Sequence, residues 1–241
     1  MIKRLFQSFH PLEQLEKQRQ AECGKGTVAS HLKPIFQAPV PPPDTPLETL
    51  DLVVLDLETS GLDPETDAIL SVGMVEIRQQ ILSLSSGQHY YLLAADAVKP
   101  ETAVINHIVP ETLAGGMTEQ ACVEKIIATL AGKVVVAHGA AIEQGFLRRA
   151  FQLAPDAPMP LVWIDTLMLE RSLSANRGKV NPDLRLCHIR EQKGLPPYLA
   201  HNALADAVAT GELLLVLIRE IFAGKTPVLG PLVQRSLKGY A

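Results

Sequence analysis

From residue 51 the chain runs through two hydrophobic rhythms in turn. DLVVLDLE (51–58) is a short, dense apolar run that predicts a buried strand. AILSVGMVEIR (68–78) and ILSLSSGQHYYLL (81–93) predict two more strands, joined by a tight turn at Arg78-Gln79-Gln80. Three successive strands with short connections imply an antiparallel meander. The spacing then lengthens. TEQACVEKIIATLAG (118–132) has helical periodicity with glycine at its end, and KVVVAHG (133–139) is a short buried strand. AIEQGFLRRAFQL (141–153) predicts a helix and LVWIDT (161–166) a strand. Asn181-Pro182-Asp183 reads as the start of a helix running through LRLCHIREQ, and a last strong helix covers 201–222. Strands that are first antiparallel and then alternate with helices predict an α/β fold with a mixed, five-stranded sheet flanked by helices.

The flanks differ in pattern. Residues 1–36 are polar and charged, with a short amphipathic helix expected over 11–22 and a break at AECGKGT. QAPVPPPDTP (37–46) reads as a semi-rigid extended linker, because consecutive prolines favour polyproline II. The expected division is an N-terminal arm and Pro-rich linker over 1–46, a folded domain over 47–223 and a tail over 224–241. On this reading the arm carries neither motif nor core, and the tail is irregular and peripheral.

Composition narrows the function. Of 241 residues, 47% are hydrophobic, enough for one substantial core. The net charge of −4 argues against a protein that coats nucleic acid electrostatically. It leaves room for an enzyme that handles one strand end with bound cations supplying the positive charge. Cys23, Cys122 and Cys187 form no C-x-x-C pair, so reduced thiols in a cytoplasmic protein are expected. The N-terminus lacks a signal-peptide core, and no run approaches the ~18 apolar residues of a membrane span. A soluble protein with no membrane partner is expected.

Candidate chemistry begins at Asp56 and Glu58. Period-2 geometry aims both side chains to the same face at the end of a strand. Like charges so close repel unless solvent separates them or a cation is shared. A lone D-x-E arises by chance in about one chain of this size and usually marks a solvated strand end. Glu143 falls in the first turn of the helix after KVVVAHG. Asp206 falls in the first turns of the last helix, with His201 five residues before it. Taken singly, each is better explained by capping, the helix dipole or surface exposure. Together, four carboxylates at edge positions of one α/β core suit hard cations with oxygen ligands. Two divalent ions, Mg²⁺ or Mn²⁺, about 3.5–4 Å apart could activate a water and stabilise the leaving oxygen of a phosphodiester. AGKTP is no phosphate loop, since Arg219 stands where the earlier glycine is required. H-E-x-x-H and G-x-S-x-G motifs are absent.

Over about residues 50–220 the sequence resembles the DEDDh-type 3′–5′ exonucleases, the family that includes the proofreading subunit of bacterial replicative polymerases. VVLDLETSGLDPETDAILSVGMVEI is similar to the first family motif and carries Asp56 and Glu58. VVVAHGAAIEQGFLRRAF resembles the second, H-N-A-x-F-D-x-x-F-L, with His138, Phe146 and Leu147 in register. WIDTLMLERSL resembles the D-T-L segment, and HNALADAVAT the third motif, H-x-A-x-x-D-A. A sister class has tyrosine four residues before the last aspartate; Asn202 stands there in this chain. Two positions depart from the family. Glu143 replaces the second motif's aspartate, preceded by Ile142 in place of phenylalanine. In PETAVINHI, Glu101 matches P-E-x-x-x-x-H-x-I, but Asn106 falls on the histidine and His107 is one place off.

The resemblance implies an RNase H-like fold and a set of roles. Asp56 would bridge both ions, Glu58 and Asp206 complete the first site, and Glu143 support the second. His201 would take the proton from the attacking water. Thr59 to Leu62 would hold the terminal nucleotide, with Glu101 and Asn106 at the other nucleotide-contact positions. The implied substrate is a single-stranded or frayed 3′ end of DNA, or of RNA, in proofreading or repair. The implied product is a nucleoside 5′-monophosphate. A polymerase or other protein could dock through the arm. The alternative is a module that kept the fold but weakened or lost turnover, with Glu143 as the mark of decay.

Overall fold

Leu52–Thr59 forms β1, the middle strand of a five-stranded sheet ordered β3-β2-β1-β4-β5. The computed structural model describes residues 10–154 and 156–237. The other strands are β2 Ile69–Arg78, β3 Ile81–Tyr91, β4 Val134–Ala137 and β5 Val162–Asp165. β1 pairs antiparallel with β2 and β2 with β3, whereas β1–β4 and β4–β5 are parallel. The meander and the mixed sheet expected from the pattern are both present. Gln79 and Gln80 turn the β2–β3 hairpin with φ of 51° and 60°, the left-handed pair that a two-residue hairpin favours.

The helices, in chain order, are α1 Pro11–Lys25, α2 Lys33–Gln37, α3 Pro100–Asn106, α4 Pro110–Leu113 and α5 Glu119–Leu130. They continue as α6 Ala141–Ala150, α7 Thr166–Asn176, α8 Leu186–Gln192, α9 Ala203–Phe222 and α10 Leu229–Leu237. Alternation along β1 sorts its side chains between two helical layers. Val53, Leu55 and Leu57 cluster with Val123, Ile126 and Leu130 of α5 and with Phe146 and Leu147 of α6. Leu52 and Val54 lie on the opposite face, against Ala207, Leu213, Leu214 and Leu217 of α9. Asp56 and Glu58 continue this second face, so they emerge under the helix that carries Asp206.

α9 forms where it does for local reasons. Asn202 caps it, its side-chain oxygen accepting from the Ala205 N–H at 3.1 Å, and Ala223 ends it in a left-handed turn at φ 46°. Its start lies unusually close to the sheet. Gly73 of β2 sits opposite Asp56, and a Cβ there would fall 2.1 Å from the backbone carbon of Ala203. Only glycine admits that approach.

Several elements differ from expectation. The arm does carry core: Leu12, Leu32, Ile35, Phe36 and Val40 are buried, shared between the two apolar clusters. α1 runs three residues further than expected, through AECGK to the left-handed Gly26. The proline-rich stretch is docked along its length. Gly230 donates to the Pro43 carbonyl at 2.7 Å, Leu229 to Thr45 at 3.0 Å, and Leu47 to Pro227 at 3.0 Å. The tail is neither irregular nor peripheral, because α10 buries Leu229, Leu232 and Val233. Gly230 and Pro231 read as loop residues, yet Pro231 lies in the first turn, where a missing N–H breaks no helical bond. α2, α3, α4 and α7 arise where no helix was expected, and α8 starts at Leu186, after Asn181 takes φ 48°. Among the described residues, no helix is long and apolar enough to cross a membrane.

Candidate active site

The carboxyl ends of the parallel neighbours β1 and β4 open into the first turns of α6 and α9, the usual place for a ligand crevice in α/β sheets. Asp56 and Glu58 from β1 meet Asp206 from α9 there. Each offers an oxygen, and the three oxygens lie within 4.8 Å of one another. Asp206 is held on both sides. The Tyr198 hydroxyl donates to Oδ1 at 2.6 Å, and the Asn202 N–H donates to Oδ2 at 3.0 Å. Burial, and then its bond to Asp206, keeps the Tyr198 hydroxyl above its ordinary value, so it remains a donor.

Glu143 is placed differently. It is buried in the first turn of α6, outside the trio but near enough to Asp56 to repel it. Among the described residues its Oε2 has no hydrogen-bond partner. Such an orphaned buried oxygen is costly unless something binds it. Burial pushes Glu143 up to about 8; its own backbone N–H offsets part of this, and Asp165 adds repulsion. Asp56 is raised well above the carboxylate range, by burial first and then by Glu143, Asp206 and Glu58. Glu58 is pushed up to about 7 by burial and then by Asp206. Ion-free, the site therefore holds protons. An all-oxygen donor set of like charges with one orphaned atom fits hard divalent cations.

The remaining predicted residues separate into those at the site and those turned away. His201 lies exposed in the loop entering α9, with a left-handed φ of 64°. Leu62 is 76% exposed at the tip of the loop after β1. Thr59 donates its hydroxyl to the Gly61 carbonyl at 2.6 Å. That loop is rigidly braced by buried Asp67, which accepts from Ser60 Oγ and the Asp63 N–H, each at 3.0 Å, and from Lys99 at 2.5 Å. Arg149 of α6 donates to the Pro64 carbonyl. Asn106 faces inward: it is buried, and its amide oxygen accepts from the Ile108 N–H at 3.1 Å. His107 beside it is exposed. The Glu101 side chain lies outside the described residues.

Sequence reasoning gave no role to Tyr198, Asp67, Gly73 or Asp165. Asp165 caps α7 and accepts from the Gly139 and Ala140 N–H groups at 2.9 and 3.0 Å, fixing the turn from which Glu143 springs. His138, quoted only for its register, is half-buried and its pKa lowered, by desolvation first. Its Nε2 donates to the Leu184 carbonyl at 2.8 Å, and its Nδ1 lies 2.9 Å from Thr166 Oγ1, whose hydroxyl donates to the Ala137 carbonyl at 3.2 Å. It is a neutral structural pin. The only advance signal for these roles was the family-like run around them.

The carboxylate cluster thus lies at the carboxyl end of the middle strand of an RNase H-like sheet. The model of the RNase T exonuclease family matches residues 53–214, and the chain belongs to that family. It is 29% identical over 172 residues to the PolC-type DNA polymerase III of Thermotoga petrophila, covering 71% of this chain but 12% of that protein. It is 29% identical over 173 residues to the DNA polymerase III epsilon subunit of Treponema pallidum, covering 71% of this chain and 78% of the subunit. In fold it is similar to zinc-bound Escherichia coli exonuclease I in its complex with single-stranded DNA. There the TM-score is 0.63 at 20% identity, over 71% of this chain and 41% of the other. The resemblance to DEDDh-type exonucleases read from the motifs stands with these relatives.

Proposed function

We propose that this chain is a metal-dependent 3′–5′ exonuclease that releases nucleoside 5′-monophosphates from a single-stranded or frayed 3′ end. DNA is the preferred substrate and RNA the competing one. The carrying observation is the convergence of Asp56, Glu58 and Asp206 oxygens within 4.8 Å, beside the orphaned Oε2 of Glu143. Those four carboxylates would hold two ions, Mg²⁺ or Mn²⁺. When bound, the ions supply an activated water and charge stabilisation at the leaving oxygen. His201, exposed and on the loop next to Asp206, would accept a proton from the attacking water. Thr59 and the Leu62 side chain hold the terminal nucleotide, the exposed leucine lying against its base. The braced loop keeps both in place, which favours orientation over induced ordering. With Asn106 turned inward, exposed His107, just after α3, is the better candidate for contact there.

The single-stranded DNA in the exonuclease I complex and the polymerases among the relatives support the substrate class and a proofreading or repair role in the cytoplasm. A polymerase partner would meet the outward face of α1, where Gln14, Lys17 and Gln20 are exposed. The inactive-module reading draws on the position of Glu143 outside the trio.

The test is hydrolysis of 5′-labelled and 3′-labelled single-stranded DNA and RNA, with Mg²⁺, Mn²⁺ or chelator. Stepwise shortening of the 5′-labelled strand, lost with chelator, is the expected result. Asp56→Ala should lower the rate by at least about a hundredfold while the chain stays folded, since removing a repelling charge leaves the core packing untouched. A wild type inert under every condition puts the binding module in its place.

A further inference from the structure

Tyr198 belongs to none of the motif positions, yet it touches the carboxylate centre. Its hydroxyl and the Asn202 N–H each hold one oxygen of Asp206, so both oxygens have a fixed donor. This matters because Asp56 and Glu58 lie within a few ångströms and repel that carboxylate. A free Asp206 would rotate away from them toward solvent.

The tyrosine is itself held. Arg190 of α8 lies with its Cζ 5.0 Å from the centre of the Tyr198 ring. Arg190 is almost wholly buried, and its guanidinium joins three pieces of chain. Nη1 donates to the Ala209 carbonyl of α9 at 2.7 Å, and Nη2 donates to the Pro196 carbonyl at 3.0 Å and pairs with Glu212 of α9 at 2.7 Å. Pro196 and Pro197 stiffen the segment that leads to Tyr198. An unbroken line of contacts therefore runs from α9 through Arg190 and Tyr198 back to Asp206 on the same helix. The segment in that line also leads into His201.

We propose that Tyr198 is a positioning residue of the metal centre, its hydroxyl fixing the Asp206 carboxylate against repulsion from Asp56 and Glu58. The proposal rests on the nuclease reading above. Two effects of the hydroxyl oppose each other. It draws charge from Asp206, which by itself would weaken a bound cation, and it orders the ligand, which strengthens one. Ordering wins, because outer partners of metal ligands typically contribute about 10–100-fold in affinity.

The experiment is calorimetric titration of the full chain with Mn²⁺ alone, without nucleic acid, for the wild type and Tyr198→Phe. Phenylalanine keeps the ring against Arg190, so the fold is preserved, and a melting curve in chelator verifies this. The expected result is Mn²⁺ binding at least about tenfold weaker in Tyr198→Phe. Equal affinity in the two proteins overturns the proposal, even if the variant melts earlier, since a purely structural role moves the melting point alone. Absence of Mn²⁺ binding by the wild type overturns the nuclease reading itself, and the positioning role with it.

Discussion

Glu58 and Glu143, ordinarily near 4.5, are pushed up to about 7 and about 8 when buried together with other carboxylates. The ion-free folded protein thus holds these two protons more tightly than the unfolded chain does. Their contribution to stability is complete below the unfolded value and is lost as pH rises through the two folded ones. The melting temperature in chelator should therefore fall between about pH 5 and about pH 8, and saturating Mg²⁺ or Mn²⁺ should flatten the decline, because a cation favours the ionised form. A chelated protein with no such decline over that range would mean the carboxylates are better solvated than their burial implies. Glu143 supports a second prediction. Its side chain is one methylene longer than the family's aspartate and reaches the site from outside the trio. Mg²⁺ demands near-ideal octahedral geometry, whereas Mn²⁺ tolerates looser coordination. The Mn²⁺-over-Mg²⁺ rate ratio should be larger for the native chain than for Glu143→Asp, which should keep or raise the Mg²⁺ rate. Collapse of the variant's rate under both ions would show a pocket adapted to glutamate.

The centre depends on how two elements approach each other, as Gly73 shows. A methyl group there would press on the backbone of Ala203 and Leu204, which cannot swing aside as a side-chain end could. Gly73→Ala should push the start of α9 off the sheet, with an overpacking cost of about 1–3 kcal/mol. Because Asp206 rides on that first turn, ion affinity should drop as well. Calorimetric titration with Mn²⁺ together with thermal melting would check both, and a variant unchanged in each would show that α9 slides without consequence. The elements that bear directly on this geometry were legible in the sequence. Dense apolar runs located all five strands within a few residues, and the periodicity of 203–222 located α9. The 56/58 alternation gave the shared face. What stayed illegible depends on contacts distant in sequence. Tyr198 gains its place through Arg190 and Asp206, and Asp67 meets Lys99 from 32 residues away. Asn106 could be matched to a motif position, but nothing local shows that its amide turns inward to Ile108. α7 was missed because Asp165 was read as the end of a strand rather than as the cap of the next helix.

At the scale of the whole molecule, the N-terminal flank packs on both layers of the sheet and the C-terminal flank on one of them. Leu12 and Val40 join the cluster under α9 together with Leu229, Leu232 and Val233 of α10, while Leu32, Ile35 and Phe36 join the cluster under α5 and α6. The flanks also hold each other: the Pro43 and Thr45 carbonyls accept from Gly230 and Leu229, and Pro46 bridges to Val228. Low apolar density over 1–46 disguised this, because a few well-spaced residues bury fully while their neighbours stay polar. Burying one large aliphatic or aromatic side chain contributes about 1.5–3 kcal/mol. Five such residues in the arm therefore rival the ~5–15 kcal/mol by which a whole domain is stable. A chain beginning at Pro46 should lose cooperative unfolding, or melt far below the 241-residue chain, even though every motif position remains. Single substitutions separate this from a general effect of truncation. Phe36→Ala should cost about 3–5 kcal/mol, as core aromatic deletions do, and Lys17→Ala on the exposed face of α1 should cost almost nothing. Chemical denaturation of the three proteins gives the comparison. A truncated chain as stable as the full one, with Phe36→Ala equally mild, would mean that the arm rests on a core already complete without it.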